Sequence, residues 1–196
     1  MFKLVKLFLL LAIIIFLVAC NNEDMHYINH RKIGKIKVVS KFKDGKKNSE
    51  EKYYYPTGEL YGVINYKDGK MFGKAKFYHK DGTLEAETTY IDDKIRDVEK
   101  IYYENGVLKR EDPYVNGKRN GNLYGYYKSG KIKVITPYKD GEMNGIEKMY
   151  YESGEIKAIR KFENGEWINS KYYDENGKLK KEIIYGKNNS YKTIEY

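Results

Sequence analysis

Glycine recurs at positions 34, 58, 82, 106, 130, 154 and 177, five intervals of 24 residues and one of 23. A period of that size marks a repeat architecture, in which each unit is one supersecondary element that cannot bury its apolar face alone. Eleven residues after each glycine comes a second turn position: Gly45, Gly69, Asp93, Gly117, Gly141, Gly165 and Asn188. An aliphatic follows each first glycine by two residues (Ile36, Leu60, Leu84, Leu108, Ile132, Ile156, Leu179), and an aromatic follows it by eight (Phe42, Tyr66, Tyr90, Tyr114, Tyr138, Phe162, Tyr185). A further column is pure tyrosine: Tyr54, Tyr78, Tyr102, Tyr126, Tyr150, Tyr173 and Tyr196.

Two turn signals per unit leave runs of roughly eight residues, the length of a strand and too short for a typical helix. Phe42-Lys43-Asp44-Gly45 and Tyr138-Lys139-Asp140-Gly141 read as three-residue hairpin loops, each a type I turn closed by a left-handed glycine. Asp93 and Asn188 are the replacements that such a position accepts. Tyr55-Pro56-Thr57-Gly58 reads as a turn of the same kind, with Tyr55 pairing with Glu59 and Tyr54 opposite Leu60.

Because side chains alternate along a strand, even offsets from each glycine should form an apolar face that includes the tyrosine column. The third residue should then lie opposite it, as a lysine row: Lys37, Lys109, Lys133, Lys157 and Lys180. The expected fold is therefore all-β, an elongated single-layer antiparallel meander of seven hairpins. Cross-strand aromatic ladders would hold it together. A β-solenoid is the rival, and it would require parallel pairing between successive units.

The pattern Tyr-Tyr-x-x-Gly-x-(Leu/Ile), followed by Tyr-x-(Asp/Asn)-Gly-x-x-x-Gly, resembles the variant MORN repeat. Tyr126 to Gly145 and Tyr150 to Gly165 are good copies, and Gly69 with Gly73 and Gly117 with Gly121 also fit. Copies depart at Asp93/Asp97, Ser49 and Asn169, where looser structure is expected. The resemblance implies elongated single-layer antiparallel sheets. Bacterial members include repeat lipoproteins and proteins labelled YwqK-type antitoxin.

The start of the chain is of a different kind. Lys3 and Lys6 precede an apolar run from Leu7 to Val18, too short for the roughly 20 residues that a membrane helix needs. A charged start, a short apolar core and a small residue before a cut site describe an export signal. Leu17-Val18-Ala19-Cys20 resembles a lipobox, and Cys20 is the sole cysteine. The expectation is a lipoprotein signal peptide over 1–19, a lipid-anchored linker over 20–29, and the repeat array over 30–196. Asn21 stands where an Asp would resemble an inner-membrane retention signal, which favours the outer membrane in a cell that has two.

Catalysis has little to work with. The histidines are His26, His30 and His79, no metal-ligand spacing occurs, and no phosphate-binding glycine loop joins a strand to a helix. The recurring Asp and Glu read as solvated turns. Neither a cofactor nor a metal is expected. A non-enzymatic envelope protein follows, acting as a binding or scaffold module for a protein, an anionic lipid surface or an acidic wall polymer, with the lysine row as binding surface. Nucleic acid is not an expected partner of an exported chain. The other functional reading is an antitoxin or immunity protein that binds and neutralises a cognate toxin, as some members of the resembled family are labelled.

Overall fold

A computed structural model describes residues 22–186 and 190–196; the lipobox residues Leu17 to Cys20 and the turn residue Asn188 lie outside them. Every regular element among the described residues is a strand, and every pairing described is antiparallel. The described residues form two compact units, one ending at Gly82 and including Tyr90–Asp93, the other Thr83–Thr89 with the described residues from Lys94 onward.

In the first unit, β1 (Asn22–His30), β2 (Gly34–Lys43), β3 (Lys46–Lys47), β4 (Ser49–Tyr54), β5 (Leu60–Lys67) and β6 (Lys70–Tyr78) form a meander. Strand β7 (Leu84–Ile91) is divided between the two units. The second unit contains β8 (Lys94–Tyr102), β9 (Leu108–Val115), β10 (Lys118–Arg119), β11 (Gly121–Tyr126), β12 (Ile132–Lys139) and β13 (Glu142–Met143). It continues with β14 (Gly145–Tyr150), β15 (Ile156–Glu163), β16 (Glu166–Tyr173), β17 (Leu179–Tyr185) and β18 (Tyr191–Glu195). These too are joined in chain order. Each unit is thus the expected all-β antiparallel meander.

Four details differ from the sequence expectation. Residues 20–29 are not a linker throughout: from Asn22 they form β1, which pairs with β2 over nine positions, Asn22↔Phe42 to His30↔Gly34. Its turn also differs from the others. Arg31-Lys32-Ile33 form the loop, and His30 Nδ1 accepts the amides of Lys32 and Ile33 at 3.4 and 3.2 Å.

The Asp-Gly loops have two residues, not three. Lys43 pairs with Lys46 and Lys67 with Lys70, leaving Asp44-Gly45 and Asp68-Gly69, with both φ values positive in each. That is the type I′ turn, whose twist matches the flanking strands better than a type I turn does. Pro56-Thr57-Gly58 keeps the expected three-residue form: the Tyr55 amide donates to Glu59 O at 2.9 Å and Gly58 has φ +105°.

Beyond each two-residue turn the pairing slips. Tyr138 faces Met143 but Ile135 faces Lys148, a slip of two residues around Asn144-Gly145. Ser49 (φ 140°) and Asp97 (φ 64°) hold the left-handed conformation where other copies have Gly73, Gly121 and Gly145, so these departures from the pattern do not loosen the turn geometry. At Asn169 the device changes: the ladder slips by one residue only, Phe162↔Trp167 then Lys161↔Asn169.

The fourth difference decides where the candidate site lies. Around each tyrosine turn the ladder skips the residue three after the glycine. Tyr102 faces Leu108 but Ile101 faces Arg110, so Lys109 is extra, and Lys133, Lys157 and Lys180 are skipped in the same way. A bulge inverts the alternation beyond it.

Candidate binding face

Two faces follow from the register. One, the packed face, carries a central row in which Ser40, Glu51, Ile64 and Ala75 oppose one another in the first unit. Glu99, Asp112, Leu123, Thr136, Glu147, Arg160, Ser170 and Ile183 continue the same pattern in the second. Ile36, Val38, Ser40, Glu51, Ala75, Asp112, Leu123, Ala158, Phe162 and Ser170 are all buried. The recurring acids in this row are therefore not solvated turns.

Three buried carboxylates each have their own partners. Glu51 accepts from Ser40 Oγ (2.5 Å), Lys47 Nζ (2.5 Å) and the Tyr53 hydroxyl (2.6 Å). Burial alone would raise its pKa, but these donors outweigh burial and hold it below the ordinary value. Burial and Glu51 together push the Tyr66 hydroxyl up to about 12. Asp112 and Glu99 stand directly opposite, a repulsive arrangement. Arg110 lies between them, 2.7 Å from Asp112 and 3.3 Å from Glu99, and Arg119 adds a contact to Asp112 at 3.4 Å. Glu147 takes Thr136 Oγ1 at 2.9 Å and Arg160 at 3.3 Å.

The opposite face carries the tyrosine column. Lys37 pairs directly with Tyr54 and its Nζ lies 4.7 Å from that ring. The Tyr102 and Tyr126 hydroxyls donate to Glu87 and Glu111, at 3.0 and 2.9 Å. Burial and this bond push Tyr126 up to about 12. Tyr54 does face Leu60, as expected, but the column is not on the buried face. Nor is it the aromatic ladder. The ring contacts of the described residues lie elsewhere, as in Tyr55–Tyr61 (5.2 Å), Tyr61–Phe77 (5.4 Å) and Trp167–Tyr185 (4.4 Å).

A second tyrosine column, one residue later at the turns, links successive repeats. The hydroxyls of Tyr55, Tyr103, Tyr127 and Tyr151 donate to the carbonyls of Tyr78, Tyr126, Tyr150 and Tyr173, at 2.6–2.8 Å. At the opposite margin, turn amides do the same: Gly117, Gly141 and Gly165 donate to Ile95, Arg119 and Met143 carbonyls at 2.9–3.1 Å. The recurrence of Tyr-Tyr doublets was the visible signal for the first of these clasps.

The bulges re-aim the lysines. Lys109, Lys133 and Lys157 place Nζ 5.4, 5.4 and 5.3 Å from the rings of Tyr103, Tyr127 and Tyr151. Lys109 and Lys133 line a groove of about 270 Å³ with Tyr103, Arg110, Leu123, Gly125 and Val134. They therefore belong to the packed face, not to the face opposite it. Lys37 lies in no bulge and stays with the tyrosine column, unlike the four lysines of the second unit. Lys109, Lys133, Lys157 and Lys180 are exposed, and none is ion-paired.

Among the described residues no group of three His, Cys, Asp or Glu side chains could hold a metal. No helix among them is long and apolar enough to cross a membrane.

The MORN repeat variant model matches residues 47–68, 73–92, 98–116, 119–140, 143–164 and 169–187, well over half of the chain. The chain belongs to this family. Each match joins two strands across a tyrosine turn, so the MORN unit is out of phase with a unit counted from glycine to glycine. Six copies are matched where seven were expected. The unmatched one is at Gly34, whose turn follows His30 in place of a Tyr-Tyr doublet. No curated protein matches the sequence. MORN repeats suggest a binding or scaffold module, and the family is generally non-catalytic.

Proposed function

We propose that this MORN-repeat protein is an envelope-anchored binding module, held through lipidated Cys20, whose second unit binds an extended acidic partner along Lys109, Lys133, Lys157 and Lys180. One observation carries the reading: each of these lysines is the extra residue of a bulge, and bulges commonly re-aim a side chain toward a functional surface. For three of them the adjacent tyrosine ring is itself fixed by its hydroxyl bond to the next repeat. Carboxylates of the same face are meanwhile engaged by Arg110, Arg119 and Arg160, leaving the unpaired cations as lysines.

Neighbouring lysines stand two strands apart, about 10 Å. That is close to the Debye length in roughly 0.1 M salt, so their fields sum only in part. A linear polyanion or an anionic bilayer gains a weak contact per repeat and a strong one from several together. Replacing all four lysines by glutamine should leave the fold intact, and binding to an anionic polymer or to phosphatidylglycerol vesicles should drop and lose its salt dependence. Unchanged, salt-insensitive binding would reduce the lysines to solvation. Anchoring is tested separately: Cys20→Ser should abolish acylation, and mass spectrometry showing an unmodified Cys20 in the native protein would refute it.

A further inference from the structure

Strand β1 belongs to no matched repeat, yet it completes a groove of about 560 Å³ in the first unit, lined by Tyr27, Lys35, Lys37, Tyr54, Tyr55, Pro56 and Gly58. This groove opens on the tyrosine face. Lys37 is its floor: it pairs with Tyr27 on β1 and with Tyr54 on β4, so one aromatic ring rises on each side. Lys35 Nζ lies 4.8 Å from the Tyr27 ring and Lys37 Nζ 4.7 Å from the Tyr54 ring.

Three features separate this groove from an ordinary stretch of sheet. Its lining holds two ammonium groups and no carboxylate, and neither lysine is ion-paired. The Tyr27 and Tyr54 hydroxyls meet no described protein group. Tyr102 and Tyr126, the counterparts of Tyr54, give theirs to a glutamate five residues after the preceding turn glycine, and Val39 occupies that place here. Finally, Tyr27 is 56% exposed, an aromatic ring that folding leaves open to water.

We infer that this groove is a binding site for an acidic saccharide, a single uronic-acid unit or a short run of them. Sugar C–H faces pack against the two tyrosine rings, ring hydroxyls meet the free phenols, and the carboxylate meets Lys35 and Lys37. Inorganic phosphate would use the ammonium groups and leave both rings bare, whereas a neutral sugar would leave two cations uncompensated. The site differs from the bulge lysines in face and in unit, so neither proposal depends on the other.

The test is calorimetric titration of the full chain with trigalacturonate, a probe too short to run along many repeats. Maltotriose, inorganic phosphate and a short polyglutamate serve as comparisons. Trigalacturonate should bind about tenfold more tightly than each of these, the effect of a little over 1 kcal/mol from ring and charge contacts. Tyr27→Ala and Lys35→Gln should each remove most of that preference. Both residues are exposed, so circular dichroism should show an unchanged fold; Tyr27→Phe, which keeps the ring, is the milder variant if Tyr27→Ala is unstable, and it should lose only part. Changing Lys139 and Lys178, exposed lysines that belong to neither proposed site, to glutamine should have no effect. Equal binding of maltotriose or polyglutamate, full affinity in Lys35→Gln, or loss of trigalacturonate binding on changing Lys139 and Lys178 would each overturn the assignment.

Discussion

Asp112→Ala tests whether the packed face is held by its buried charges. Asp112 is completely buried, with Arg110 Nε at 2.7 Å and Arg119 Nε at 3.4 Å. Deleting one member of a buried pair typically costs about 3–5 kcal/mol, because a charge is left desolvated. Here the penalty should be smaller. Both arginine side chains are about a third exposed, at 35% and 34%, so water reaches part of each, although the Nε atoms that face Asp112 are buried. Arg110 keeps Glu99 at 3.3 Å, and Arg119 keeps the rings of Tyr114 and Tyr138 at 5.9 and 5.3 Å. The expected loss is therefore about 2–3 kcal/mol, which with a urea slope near 2 kcal/mol/M moves the midpoint down by roughly 1 M. Hydrogen exchange should localise the effect, with amides of β9 and β11 losing protection before those of β15 to β17, since repeat arrays open locally. A midpoint shift under about 0.25 M would mean that the charges are solvated in both states and that apolar packing alone holds this face.

Glu51 should make the first unit sensitive to acid. Its folded pKa is depressed, so its contribution is full above the unfolded value of about 4.5 and is lost as pH falls through the folded pKa. Glu51→Gln should lower stability at pH 7 by about 1.5–3 kcal/mol and flatten the acid limb of the stability–pH curve; an unchanged limb would assign it to other groups. Gly125→Ala places a Cβ 2.7 Å from Val134 Cγ1 and should cost about 1–3 kcal/mol. In a Val134→Ala background the same change should cost far less, and equal cost in both backgrounds would disprove the clash.

The hairpin array was legible because glycine and tyrosine spacing report turns directly, and turn chemistry admits few residues. The two-residue Asp-Gly turns were equally visible in Asp44-Gly45, and the misreading came from fitting one turn type to both series. Side-chain faces were another matter. Alternation assigns Lys109 to the face away from Arg110 only if no residue is extra between them, and a bulge leaves no mark in composition. Lys37 and Lys109 occupy the same repeat position, yet they point to different faces because β1 pairs with β2 without a bulge. Strand β1 was missed since its sequence has neither turn glycine nor tyrosine doublet. Glu51, Asp112 and Glu147 were hidden by their type: Asp112 shares the offset of Ile64 and Thr136, six after the turn glycine, and Glu51 and Glu147 face those two residues from the neighbouring strand.

The shortened slip in β16 shows how this architecture absorbs errors of length. The interval from Gly154 to Gly177 is one residue short, and the clasp from Tyr151 spans 22 residues where that from Tyr127 spans 23. Both clasps still form, because the missing residue came out of the slip beside the hairpin turn. Those extra residues act as slack, taken up locally so that everything downstream keeps its face. A single-residue deletion at Asn120 or Asn144 should therefore be tolerated, while one in the middle of β9 or β12 would turn the charged row outward. This array can in this way shorten a unit at one point without redesigning a contact.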